Sequence, residues 1–150
     1  MSNSEVLHSY NSLSGVLSSL EREVSQVSER LSKIIESAKD TKSYNELKQG
    51  DFKKVYGGVV DEYYFIGSSM ARISLNLMDV RTLKRQIQQG IPGLVPSVEK
   101  QIRARIDYLV KDYEDLRNAL NVSKDVYDAK LRFYQSCQYL MTGSKFTDRS

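Results

Sequence analysis

The residues able to do proton or metal chemistry near neutral pH are few. His8 is the single histidine and Cys137 the single cysteine of 150 residues. General acid–base catalysis draws mostly on histidine, and nucleophilic catalysis needs a thiol or hydroxyl beside a base. In a helical register His8 falls opposite the apolar side of its segment, where a solvated residue is expected. Cys137 falls on the apolar side of the last segment, where a buried, inert thiol is expected. A carboxylate-bridged di-metal bundle requires Glu-x-x-His on two helices, and no such pair occurs. Asp112, Glu114 and Asp115 crowd together, but neighbouring helix positions point in different directions, so a solvated face is the expectation. Tyr56-Gly57-Gly58 lacks the Lys-Ser/Thr ending of a phosphate-cradling loop. These patterns predict a chain with no catalytic residue, no metal, no cofactor and no small-molecule substrate, a non-enzymatic protein.

Binding chemistry is better represented. The net charge is only +3, yet between residues 81 and 105 the basic residues Arg81, Lys84, Arg85, Lys100, Arg103 and Arg105 meet one acidic residue, Glu99. A hairpin joining two helices there brings the six together. Such a tip attracts phosphates in a salt-dependent way, which makes nucleic acid or an acidic protein a candidate partner. Cations near the end of a helix also favour its dipole, but those at the start of the next helix do not. The ten tyrosines resemble base-stacking platforms in number only. Tyr10, Tyr63, Tyr113 and Tyr127 lie on or beside apolar seams, so packing is the expected role.

The elements that must position these residues are helices. Val6, Tyr10, Leu13, Leu17, Leu20, Val24, Val27, Leu31, Ile34 and Ala38 follow one another at alternating steps of four and three, the heptad signature. Ser2 and Glu5 have capping-box spacing, so helix 1 is expected over about residues 3–40. A connector follows at 41–58, with one or two short helical turns after Ser43. Helix 2 is expected at about 59–89 on Val59, Tyr63, Ile66, Met70, Ile73, Leu77, Val80 and Ile87. The turn 90–97 holds both prolines, Pro92 and Pro96, and both Gly90 and Gly93. Its apolar residues Ile91, Leu94 and Val95 are expected to cap the end of the bundle.

Helix 3 is expected at about 98–141, followed by a tail at 142–150. Its stripe begins Val98, Ile102, Ile106, Leu109, Tyr113, Leu116, Leu120 and then slips. After Asn121 the more apolar face is Val122, Val126, Ala129, Phe133 and Leu140, with Tyr127, Leu131, Tyr134, Cys137 and Met141 beside it. The helix either divides near Asn121 or continues with a changed register.

The expected architecture is all-α: an elongated antiparallel bundle or coiled coil of three long helices in one domain. The seam of helix 1 is long relative to the helices available to cover it, so self-association is expected, with Val6 through Ile34 as the interface to a second copy or another protein. No apolar run reaches the length of a membrane span. The N-terminus lacks a secretory signal and one cysteine forms no internal disulfide, so a cytoplasmic location is expected. Function is then read as structural, assembly or adaptor work through helical interfaces, with a nucleic-acid-binding accessory role as the alternative.

Overall fold

A computed structural model describes residues 3–91 and 93–143, with side chains from Tyr10 onward. Ser2 of the expected capping pair, the side chains of its partner Glu5 and of Val6 and His8, Pro92, and the tail from 144 lie outside what is described. Four helices follow in order: α1 (Asn3–Ala38), α2 (Tyr44–Gln49), α3 (Phe52–Gln88) and α4 (Pro96–Thr142). Among the described residues there is no strand, and the helices pack as a bundle.

The short α2 forms because Ser43 caps it. Ser43 Oγ accepts from Glu46 N at 3.2 Å, and Glu46 Oε1 accepts from Ser43 N at 3.1 Å. These bonds hold the Glu46 carboxyl below its usual pKa. The connector expected up to residue 58 ends earlier. Asp51 Oδ1 accepts from Lys54 N at 3.3 Å and its carbonyl from Val55 N at 3.2 Å, and α3 starts at Phe52. Gly57 and Gly58 therefore lie inside a helix. Tyr56 and Val59, both 4% exposed, bury enough apolar surface to outweigh the roughly 1 kcal/mol that each helical glycine costs.

The hairpin between α3 and α4 is where glycine is required. Gly90 and Gly93 take φ of 88° and 83°, the left-handed region that side chains disfavour. Gly90 N donates to Ile87 O at 2.9 Å, closing α3, and Pro96 opens α4. Ile91 and Leu94 are half-buried, whereas Val95 is exposed, so two of the three loop residues are covered.

The chain forms two compact units, each built from segments of all three long helices. Unit 1 comprises Met1–Glu29 and Ala71–Asn118; unit 2 comprises Arg30–Met70 and Ala119–Ser150. In unit 1, Asn76 meets Tyr113 and Lys84 meets Asp107, so α3 and α4 run in opposite directions. In unit 2, Glu62 meets Tyr127 and Tyr56 meets Gln135, again antiparallel, while Ile34 pairs with Tyr127 and Ser37 with Lys130, so α1 and α4 run parallel. Leu17, Ile73, Leu77, Ile106 and Leu109 are at most 1% exposed in unit 1. Each such side chain contributes roughly 1.5–3 kcal/mol by leaving water.

α4 neither divides nor slips. Its buried positions are Ile102, Ile106, Leu109, Tyr113, Leu116, Leu120, Ser123, Tyr127, Lys130, Tyr134 and Cys137, an unbroken alternation of four and three. The expected change of face at Asn121 is thus corrected. The register continues, but two of its core positions are occupied by Ser123 and Lys130.

Candidate functional site

Two groups of residues stand out in the sequence, and the structure treats them differently from expectation. The α1 seam is covered within the chain. Leu17, Val24, Val27, Leu31 and Ile34 are between 0% and 6% exposed, and Tyr10, Leu13 and Leu20 are half-buried. From Leu17 onward the residues expected to face a second chain are thus buried against this chain's own helices. α3 and α4, at 37 and 47 residues against 36 for α1, are long enough to cover the seam.

The six basic residues lie in unit 1, and four are held by local carboxylates. Arg81 Nη2 is 3.9 Å from Glu114 Oε2, Lys84 Nζ 3.2 Å from Asp107 Oδ1, and Arg103 Nη2 2.9 Å from Glu99 Oε1. Arg105 is turned onto α1, where it donates to Glu21 Oε1 at 2.7 Å, Glu21 Oε2 at 3.2 Å, Ser14 Oγ at 3.3 Å and Ser18 Oγ at 3.3 Å. The Glu21 hydrogen bond raises its pKa further. Arg85 donates to Thr82 Oγ1 at 3.2 Å, and Lys100 is exposed. Among the described residues, neither of these two forms an ion pair. The carboxylates that sequence spacing misses, Glu21, Asp107 and Glu114, reach the cluster from other turns and another helix.

Polar groups inside the bundle are organised by tyrosines of α4. Tyr113 Oη donates to the Leu20 carbonyl at 2.8 Å and accepts from Asn76 Nδ2 at 3.4 Å. Tyr127 Oη lies 3.1 Å from the Ile34 carbonyl and 2.8 Å from Glu62 Oε2, so its one proton is shared between two acceptors. Tyr134 Oη accepts from Lys42 N at 3.4 Å. Burial pushes the Tyr113 phenol up to about 12 and also raises Tyr127 and Tyr134. Lys130 is 8% exposed, with Nζ 3.4 Å from the Ser37 carbonyl and 5.5 Å from the centre of the Tyr127 ring. Its burial lowers the ammonium pKa. Cys137 is buried and its thiol is pushed up for the same reason. Among the described residues, no group of three or more His, Cys, Asp or Glu side chains is placed to hold a metal.

What the register leaves outside is the second feature. Because Ser123, Tyr127, Lys130, Tyr134 and Cys137 face inward, the apolar residues beside them face solvent. Val122 is 64% exposed, Val126 46%, Phe133 40% and Leu140 67%, with exposed Ala129 between them. These are the positions expected to form the core face. They make a stripe on the outside of unit 2 instead, joined by Tyr139 at 53%.

No protein-family model matches the chain, and comparisons with curated proteins and with solved structures find no match.

Isolated apolar residues on a surface are ordinary, but several in one helical row concentrate a hydrophobic face of the kind that docks another chain. Among the described residues, no helix is long and apolar enough to cross a membrane.

Proposed function

We propose that this chain is a non-enzymatic assembly or adaptor protein of the cytoplasm that works by docking protein surfaces, a second copy included, onto a helical face. The observation that supports the reading is the outward stripe Val122, Val126, Ala129, Phe133 and Leu140 on a helix whose other face is already buried. A helix covered on one side and apolar on the other has a second layer still to gain, and burying such a row is the driving force in most protein association.

The nucleic-acid reading has less support. Four of the six cations on which it rests sit within 4.0 Å of carboxylates, so a phosphate backbone would have to compete with pairs already made. Exposed ion pairs are individually weak.

The test is a native pull-down with the wild-type chain and a Val126→Glu variant, from lysate with and without nuclease. The reading predicts protein capture that survives nuclease and is lost in the variant. Capture that disappears on nuclease treatment supports the nucleic-acid reading instead, and equal capture by both chains contradicts the role of the stripe.

A further inference from the structure

Beyond the α4 stripe, we propose that the outward face of α3 pairs with the same face of a second copy, the two helices running antiparallel about a two-fold axis close to Gly67. α3 is one uninterrupted helix from Phe52 to Gln88. Tyr64, Ser68, Ala71, Leu75, Met78 and Thr82 follow along it at steps of four and three, and all six are exposed. The helix thus carries a second seam opposite its buried one. Its large members Tyr64, Leu75 and Met78 are 64%, 63% and 62% exposed.

Glycine gives the first argument for a second backbone. Gly57 and Gly67 lie along this face, and each weakens the helix relative to alanine. A Cβ added at either meets nothing within 4 Å, so packing inside this chain does not call for the missing side chain. In a knobs-into-holes contact a side chain enters a hole formed by four residues of the facing helix. Tyr64, Gly67, Ser68 and Ala71 form such a hole at the axis, open enough to receive the Tyr64 ring of the other copy. In the same register Leu75 enters the hole formed by Gly57, Val60, Asp61 and Tyr64 of the other copy, and Met78 enters the next one, beside Lys53.

Charge selects the same register. One edge of the face carries Lys54, Asp61, Arg72 and Asp79, all exposed, and in an antiparallel pair like edges meet. Read from either end, this edge alternates in sign, and its outer gaps are equal, so it is complementary to its own reverse. The axis that seats the three large side chains sets Asp61 of each copy beside Arg72 of the other, and Lys54 beside Asp79, four ion pairs in all. Arg72 already meets Glu23 through Nε at 2.7 Å, but its side chain is 57% exposed, and its remaining N–H groups serve the second contact. On the opposite edge Ser74 comes beside Val60. The one meeting of like charges there, Lys53 with Arg81, is relieved by Glu114, 3.9 Å from Arg81 Nη2. The competing antiparallel register, with Arg72 beside Asp79, sets Tyr64 over Arg85, Gln86 and Gln89 and leaves Lys54 and Asp61 without partners. The face is thus complementary to itself in shape and charge together, the requirement of an isologous contact.

The size of the face sets the strength. At the exposures of Tyr64, Leu75 and Met78, two copies bury about 700 Å² from these side chains, taking the areas typical of such residues. That is less than the roughly 1,200 Å² at which specific interfaces become standard in size. The dimer is accordingly reversible and dilution-sensitive.

Sedimentation velocity across a concentration series tests this with the full chain. The wild type is expected to move from 17.2 kDa toward twice that mass as concentration rises. Leu75→Glu, an exposed position where circular dichroism verifies folding, is expected to stay monomeric. Gly67→Gln fills the hole at the axis and is expected to weaken dimerisation about tenfold, yet, diluted to monomer, to unfold at no lower urea than the wild type. Lys54→Asp opposes two pairs of aspartates and is expected to weaken dimerisation about tenfold. The exchanged variant Lys54→Asp/Asp79→Lys restores the ion pairs and is expected to recover most of that loss. A wild type that stays at 17.2 kDa throughout overturns the proposal, as does a dimer indifferent to Leu75→Glu or an exchanged variant weaker than Lys54→Asp alone. The pull-down above is decided by Val126→Glu, on a different helix, so the two readings fail separately.

Discussion

Tyr113 and Tyr127 stand two heptads apart on α4, and each is ninety-three residues from the α1 carbonyl that its hydroxyl meets, Leu20 at 2.8 Å and Ile34 at 3.1 Å. The third helix repeats the arrangement in reverse, with Asn76 beside Tyr113 and Glu62 beside Tyr127. Each unit thus contains one copy of the same three-helix junction: an α4 phenol, an α1 carbonyl and an α3 side chain. A helix carbonyl already accepts within its own helix, so the phenol uses its second lone pair. The junction fixes longitudinal register, which apolar packing alone leaves open to slippage by whole heptads.

Removing either hydroxyl should cost stability without unfolding the bundle. Tyr113→Phe and Tyr127→Phe are each expected to lower unfolding free energy by about 1 kcal/mol, the usual worth of one intramolecular hydrogen bond. Tyr113→Ala, which also opens a cavity, should cost about 3–5 kcal/mol. Urea titrations of the three variants check the order.

The same phenols predict alkaline sensitivity. Burial raises Tyr113 to about 12 from an unfolded value of about 10, so above pH 10 the unfolded state loses its proton first. Stability is fully present below pH 10 and declines as pH rises toward 12. Tyr127 and Tyr134 shift in the same direction. Urea midpoints measured from pH 8 to 12 should fall over that window, and Tyr113→Phe should flatten the fall.

Lys130 has the opposite sign. Its folded-state pKa is lowered by burial, so its buried charge costs stability at neutral pH, and the cost is relieved as pH rises toward the unfolded lysine value of about 10.4. The Ser37 carbonyl that it meets also accepts from Asp40 N at 3.1 Å, so removal of the ammonium leaves no orphaned acceptor. Lys130→Met is expected to raise the unfolding free energy by about 1 kcal/mol, measured as a higher urea midpoint at pH 7.

These polar core positions explain what the sequence made legible and what it hid. Helix 1 could be read from its period because nearly every seam position holds an aliphatic residue, and its observed end at Ala38 is close to the expected one. The short helix after Ser43 was likewise carried by a local cap. The start of α3 was hidden because Gly57-Gly58 resembles a breaker while the true signal, Asp51 as a cap, is one residue type common in loops. The outer face of α4 was hidden for a different reason. Hydrophobicity marks Val122, Val126 and Phe133 as core, but seven-residue steps from Tyr113 through Leu120 and Tyr127 to Tyr134 carry the register straight on, and packing follows those large rings. The partners of the basic cluster required three-dimensional placement, since Glu21 is far from Arg105 in the chain.

Within that cluster, structural and solvated cations should separate. Arg105→Ala loses the bidentate contact with Glu21 and the bonds to Ser14 and Ser18 and is expected to cost about 1 kcal/mol, less at high salt. Lys100→Ala should change stability by less than about 0.5 kcal/mol. Urea titrations at low and high salt distinguish them.

Amide hydrogen exchange of α1 at falling protein concentration tests the central claim, that one chain covers its own first-helix seam. Protection between Leu17 and Ile34 should remain the same at every dilution. Protection that disappears with dilution would mean that another copy covers the seam, and would contradict the account.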